Sequence, residues 1–212
     1  MTKTEPAPGA RRKGSQTRAE IQEAALTLFT EHGYDATSMR EIAEQLGITK
    51  AALYYHFDSK EAVIVSLFTD HMRAMDELLD WAAGQPHSPE LAAELLSRWL
   101  TMSSQQGVRN MRFAVANHTA LKTAMPTGQS SPLERTDRAT RLILGPGASV
   151  QDQLSVRLAL LSVHSAVLAA QGTEATNDDI VTAAMRTATL LVSHLFPDLP
   201  LLSLRGPEPP AE

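Results

Sequence analysis

Apolar and polar residues alternate along this chain with a helical period almost throughout. Ile21, Ala24, Ala25, Leu28 and Phe29 recur on one face of a helix expected over Thr17–His32, and Gly33 ends it with Tyr34 able to pack beneath. A tighter pattern follows at 37–60. Ser38-x-x-Glu41 has the form of a capping box, Ile42 and Leu46 lie four apart on one face, and Ala43 is small where a second helix would cross. Gly47 supplies a left-handed stop, Ile48 plugs the turn, and Thr49 caps a second short helix whose Leu53 and Phe57 point inward. This is the pattern of a helix-turn-helix. It leaves Thr49, Lys50, Ala52, Tyr54, Tyr55 and His56 on the outside. A short capped helix with small and polar residues at its start suits the major groove. The plainer alternative is a helical hairpin with a purely structural role.

Beyond this motif the helical period continues. A long fourth helix is expected from Asp58 or Ser59, with Asp58-x-x-Glu61 as its cap, through Leu67, Met72, Met75 and Leu79. Gly84–Pro89 breaks the chain, a fifth helix runs from Glu90 to about Gln105, and Gly107 interrupts before a sixth around Met111–Leu121. Leu133–Leu144 reads as a charged seventh helix, followed by helices over about Val150–Gln171 and Asn177–Phe196, the last capped by Asn177 or Asp178. No strand-period run and no internal repeat occurs. The expectation is an all-α chain of nine helices: a disordered basic arm at 1–15, a three-helix helix-turn-helix domain at 16–60, a helical domain at 61–196, and a Pro-rich tail at 197–212.

The last two helices are apolar on more than one side. Val150–Gln171 carries Leu154, Leu158, Leu161 and Leu168 among others, and the final helix carries two stripes, one of them including Ala184, Ala188, Leu191 and Leu195. A helix apolar on two sides must be buried on two sides. Either it is the central helix of a monomer, or each chain contributes two helices to a four-helix homodimer seam.

Charge changes the picture for the N-terminal part. The net charge is −5, an awkward value for a nucleic-acid binder unless charge is segregated. Residues 1–60 hold eight Lys/Arg and eight Asp/Glu, while the remainder hold eleven and sixteen, so the excess acidity is all C-terminal. Arg11, Arg12, Lys13 and Arg18 form a basic stretch ahead of the first helix, either a solvated tail or an arm lying along phosphates. The 212 residues contain no cysteine, which fits a reducing cytoplasm, and the N-terminus has no apolar stretch resembling a signal peptide. The most apolar run, Leu158–Ala170, is shorter than the roughly 20 residues a membrane span needs, so no membrane association is expected.

The helix ending in Gly33-Tyr34, the Thr37–Gly47 helix, Leu53-Tyr54-Tyr55-His56-Phe57 and the following Ser59-Lys60-Glu61 together resemble the N-terminal domain of TetR-family transcriptional repressors. The resemblance covers roughly residues 16–64. It implies a homodimer that binds a palindromic operator in double-stranded DNA and releases it when a small ligand occupies the C-terminal domain. It also implies roles for individual residues. Arg40 can reach a guanine edge or a phosphate. Thr37 and Ser38 sit at a helix N-terminus suited to phosphate, although Ser38 also reads as a cap alone. Thr49 and Lys50 are the base-reading candidates, with Ala51 and Ala52 allowing close approach; relatives often carry Gly and Thr there, which leaves the base contacts open. Tyr54, Tyr55 and His56 can reach phosphates or pack inward, and Lys60 adds a cation.

A ligand site is expected between the fourth and eighth helices, where Met72, Met75, Trp99, Met102, Phe113, His118 and His164 are bulky, soft or amphipathic. For each of them plain core packing is the alternative. No nucleophile motif, phosphate loop or zinc motif is present, and the seven histidines never pair at metal-ligand spacing, so neither a catalytic residue, a metal nor a cofactor is expected. Two classes remain: a ligand-responsive DNA-binding repressor, and an all-helical binding or enzymatic protein whose N-terminal hairpin is structural.

Overall fold

A computed structural model describes residues 8–117 and 132–197. Among these residues the chain is all-α, with ten helices and no strand: α1 Pro8–His32, α2 Met39–Gln45, α3 Lys50–His56, α4 Lys60–Ala83, α5 Pro89–Ser103, α6 Gln105–Ala116, α7 Pro132–Leu144, α8 Val150–Leu160, α9 Ser162–Ala169 and α10 Asn177–Val192. The chain divides into two compact units within α4 rather than at residue 60. One is built on α1–α3 and α4 as far as Asp70, the other on His71–Val115 and the helices from α7 onward.

The N-terminal unit buries Ile21, Ala25, Leu28, Phe29, Ile42, Ala43, Leu53, Phe57, Val63 and Ile64, with α1 against α2 and α2 against α3. The first turns of α4 belong to this unit because polar side chains tie them to α1. The Gln22 amide donates to Ser66 Oγ and to an Asp70 carboxylate oxygen, each at 2.8 Å. Two sequence expectations need correction here. Residues 8–15 are not a disordered arm but the first turns of α1, since Ala10 to Lys13 are good helix formers and Pro8 is tolerated at a helix start. The cap of α4 is Ser59, whose hydroxyl accepts from the Ala62 amide at 3.2 Å, and not Asp58.

The second unit is organised on an apolar cluster containing Leu79, Leu95, Leu96, Trp99, Leu100, Ile143, Val156, Leu160, Met185 and Ala188. A smaller cluster holds Val108, Val163, Val167, Ile180 and Ala184. The single helix expected over 150–171 is two, broken at Leu161. The break coincides with the Trp99 indole N–H, which donates to the Leu160 carbonyl at 3.2 Å, a side chain intruding on the helical ladder. The gap between α5 and α6 falls at Ser104, and Gly107 lies buried inside α6, where a Cβ would come 3.4 Å from the Met102 carbonyl oxygen. The last helix ends at Val192 and is capped by Thr176, whose hydroxyl and Asp179 form a capping box.

Charged side chains fasten α7 to the second half of α4. Arg135, only 7% exposed, forms two 2.8 Å hydrogen bonds with both carboxylate oxygens of Asp76, which hold that carboxyl below its usual pKa. Arg138 pairs with Asp80 at 2.7 Å, and Asp137 is shared between Arg141 and Arg157. His71 lies in the same unit. Burial, and secondarily the positive charge of Arg135, push its pKa below the ordinary 6.5.

A pH dependence follows. The folded chain resists protonating His71, whereas the unfolded chain takes up the proton near 6.5, so stability declines as pH falls from that value to the lower folded pKa. Thermal melts at pH about 7.5 and about 5.5 should therefore show a lower midpoint at the acid value, and His71→Gln should reduce the difference. The carboxylates with lowered pKa, such as Asp76, add their own loss only at more acid pH. An unaltered pH difference in His71→Gln would assign it to other groups.

No described helix is long and apolar enough to cross a membrane, and no described group of three or more His, Cys, Asp or Glu is placed to hold a metal ion.

Candidate nucleic-acid interface

α2 starts where the sequence says it must. The Ser38 hydroxyl accepts from the Glu41 amide, and the Glu41 carboxylate accepts from the Ser38 backbone N–H at 2.7 Å and from its hydroxyl at 2.8 Å. These bonds lower the Glu41 pKa, the backbone donor contributing most. At the other end Gly47 adopts φ of 63°, with its amide on the Glu44 carbonyl and the Ile48 amide on the Ala43 carbonyl. This is a Schellman motif. It turns the chain sharply enough for Thr49 to cap α3 at once, its hydroxyl accepting from the Ala52 amide at 3.1 Å.

α3 then buries Leu53, fully, and is followed by the buried Phe57. Thr49, Lys50 and Ala51 are exposed, Ala52 and His56 are half-buried, and the aromatic pair stands outward, Tyr54 at 41% and Tyr55 at 86% exposure. The Lys50 ammonium lies 5.5 Å from the centre of the Tyr54 ring, and Tyr55 meets His56 edge to face. The helix carries no carboxylate in its sequence KAALYYH. Its outer surface therefore offers a cation, hydroxyls and an imidazole, which are donors for phosphate and base-edge acceptors. Arg40, on α2, is also exposed but is paired with Glu44 at 2.7 Å.

Two residues expected at this surface are used internally. Thr37 is 2% exposed, and its hydroxyl donates to the Gly33 carbonyl at 2.9 Å, so it is not offered to a phosphate. Lys60 turns its ammonium onto three backbone carbonyls and the face of Tyr34. Arg18, which the sequence places in a basic stretch, lies at the exit of α3. Its guanidinium stacks 4.2 Å above Phe57 and donates to the His56 carbonyl at 3.3 Å, a cation at the negative end of that helix. Nothing local in the sequence marks Arg18 for this role.

The ligand-site candidates scatter. Met75 and Trp99 are buried members of the apolar cluster of the second unit, and Met102 packs against it. Phe113 is buried and Met72 half-buried. His164 is exposed on α9 and does not join them. His118 lies outside the described residues. The seam residues divide as well. Leu154, Leu158 and Leu168 are about half exposed, and Leu161, Leu191 and Leu195 are half-buried. Ala184 and Ala188 are 0% exposed within a single chain, because that side of α10 faces its own core, so they do not form a surface for a partner. The large apolar residues exposed on the same helices are Val150, Leu154, Leu158, Leu168 and Leu190.

Comparison with known proteins agrees with this geometry. Residues 21–67 match the family model described as bacterial regulatory proteins, tetR family. Over 44 residues the chain is 52% identical to IcaR of Staphylococcus aureus strain Newman, the negative transcriptional regulator of its biofilm operon icaADBC; the match spans 21% of this chain and 24% of IcaR. Over 50 residues it is 48% identical to the transcriptional repressor KstR2 of Rhodococcus jostii RHA1, spanning 24% of each. The matched segment is thus about a quarter of these relatives. A solved structure of SmeT in complex with triclosan superposes over 84% of this chain and 91% of SmeT, with a TM-score of 0.59 and 24% identity, a likeness of fold that extends through the helical second unit.

Proposed function

We propose that this chain, by its residues 21–67 a member of the TetR family of bacterial regulatory proteins, represses transcription by placing α3 in the major groove of operator DNA. As a member of a family of regulators it is not an enzyme. The observation that carries the reading is α3 itself: a capped helix without carboxylates, fixed by Leu53 and Phe57, that presents Lys50, Tyr54 and Tyr55 outward. Two of its relatives, IcaR and KstR2, are named as a negative regulator and a repressor, which supports the direction of control. In this reading Thr49 and Lys50 reach base edges, Ala51 and Ala52 let the helix approach closely, and Tyr54, Tyr55 and His56 grip phosphates. Arg40 serves only if it leaves Glu44. Ser38 remains a cap.

The same reading includes a homodimer. The exposed Leu154 and Leu158 lie four apart on α8, Leu168 is exposed on α9, and Leu190 on α10 is 74% exposed. A dimer paired through these faces would read a palindromic operator whose half-sites lie about 34 Å, one turn of DNA, apart. A small, largely apolar inducer would sit against the Met75, Trp99 and Met102 side of the second unit's core, a chemistry in keeping with the triclosan bound by SmeT.

The test is retention of duplex DNA at low salt. The wild type should bind random duplex at protein concentrations of about 100 micromolar or lower, because non-specific affinities usually reach that range. Lys50→Ala and Tyr55→Phe should each weaken binding to a selected operator by about 1–3 kcal/mol without loss of helicity. No retention by the wild type would remove the function. Full affinity in both variants would remove α3 as the reading helix.

A further inference from the structure

Lys60 is the first residue of α4, next to the recognition helix, where an exposed lysine would be a natural phosphate contact. Its surroundings give it other work. The ammonium lies 2.7 Å from the Tyr34 carbonyl oxygen, 3.2 Å from that of Thr37 and 3.4 Å from that of Asp35. An ammonium has three N–H donors, and here three carbonyls take them. It also stands 4.2 Å from the centre of the Tyr34 ring, on the ring's negative face. The next residue completes the grip, because the Tyr34 hydroxyl donates to Glu61 Oε1 at 2.6 Å. Tyr34 itself is buried and packs edge to face on Phe29. Two consecutive residues of α4 thus hold the loop between α1 and α2, the loop that fixes where Ser38 begins α2 and hence where Gly47 delivers α3.

We infer that Lys60 is a positioning residue for DNA recognition: its ammonium locks the 34–37 loop to the first turn of α4 and so sets the attitude of the α2–α3 pair, without touching DNA. The inference rests on the DNA-binding reading above. It differs from a phosphate contact in two measurable ways. A phosphate contact contributes to the salt dependence of binding and tolerates Arg in place of Lys. A converging triple donor contributes nothing to that slope and does not tolerate Arg, whose planar fork cannot aim at three carbonyls around one point.

The probe is a duplex enriched by the wild-type protein from a randomised library. Lys60→Met and Lys60→Arg are compared with wild type for affinity across a range of salt, at a temperature where circular dichroism shows each variant folded. Both should lose at least about tenfold in affinity, a loss in keeping with hydrogen bonds to a charged donor, with the slope of log K against log salt unchanged. A slope reduced by about 0.9, or wild-type binding by Lys60→Arg, would make Lys60 a phosphate contact and overturn the inference. Unchanged affinity in folded Lys60→Met would make the clamp merely structural and also overturn it. If Lys60→Met fails to fold, Lys60→Arg carries the same comparison. If neither folds, Lys60 supports the fold rather than the reading head and the inference falls. Failure of the wild type to enrich any duplex would instead defeat the DNA-binding reading itself.

Discussion

Trp99→Ala should cost the helical second unit about 3–5 kcal/mol, a large share of the stability of a domain this size. The indole is 6% exposed within the apolar cluster that holds the fully buried Leu95, Leu96 and Leu100, so truncation opens a cavity in the core. It also removes the N–H that donates to the Leu160 carbonyl at the break between α8 and α9. Trp99→Phe separates the two effects. It keeps most of the apolar volume, and an unsatisfied buried carbonyl then accounts for about 1–3 kcal/mol. Denaturant titration followed by circular dichroism measures both variants. A loss under about 1 kcal/mol for Trp99→Ala would mean that this core is loosely packed around the indole, since tight packing is what makes truncation costly.

Leu158→Glu should convert the proposed dimer into a folded monomer. Leu158 is 52% exposed in the single chain and Leu154 49%, so a carboxylate at 158 is hydrated while the chain is alone and desolvated only when a partner covers it. The cost of burying that charge falls on association, several kcal/mol and so on the order of a hundredfold or more in dimer affinity. Operator binding should fall with it, because the palindromic operator proposed for this dimer requires two linked recognition helices. Sedimentation at micromolar concentration, alone and with duplex, reads both. Leu191→Glu is a poor substitute, since Leu191 packs on the core of its own chain and its replacement would unfold the chain as well. A wild type that sediments as a monomer would remove the proposed seam.

The reach of the sequence is set by distance along the chain. The α2 capping box, the Gly47 stop and the Thr49 cap are each complete within a few consecutive residues, because their hydrogen bonds run from i to i+3 or across one helical turn. Leu53 and Phe57, four apart, likewise declare their inward side by period alone. For that reason the helix-turn-helix and its outward face were legible before any coordinate, as was the all-α class. Where a local signal was ambiguous it slipped by a residue, as with Ser59 for Asp58 and Thr176 for Asn177.

What the tertiary structure decided were pairings between residues far apart. Lys60 meets Tyr34 across 26 positions, Arg18 meets the His56 carbonyl across 38, and Trp99 meets Leu160 across 61. Each turns a residue whose type suggested one role toward another: two cations away from phosphate and onto backbone carbonyls, and an aromatic into the joint that splits a helix. Helical period also could not say what covers the two apolar stripes of α10. The packing of α8 and α9 against it put both on the chain's own core, Ala184 and Ala188 from one stripe and Met185 and Val192 from the other, and left Leu190, which belongs to neither, outside. A periodic pattern says that a face is apolar; which apolar face meets which neighbour depends on chain contacts that no single helix encodes.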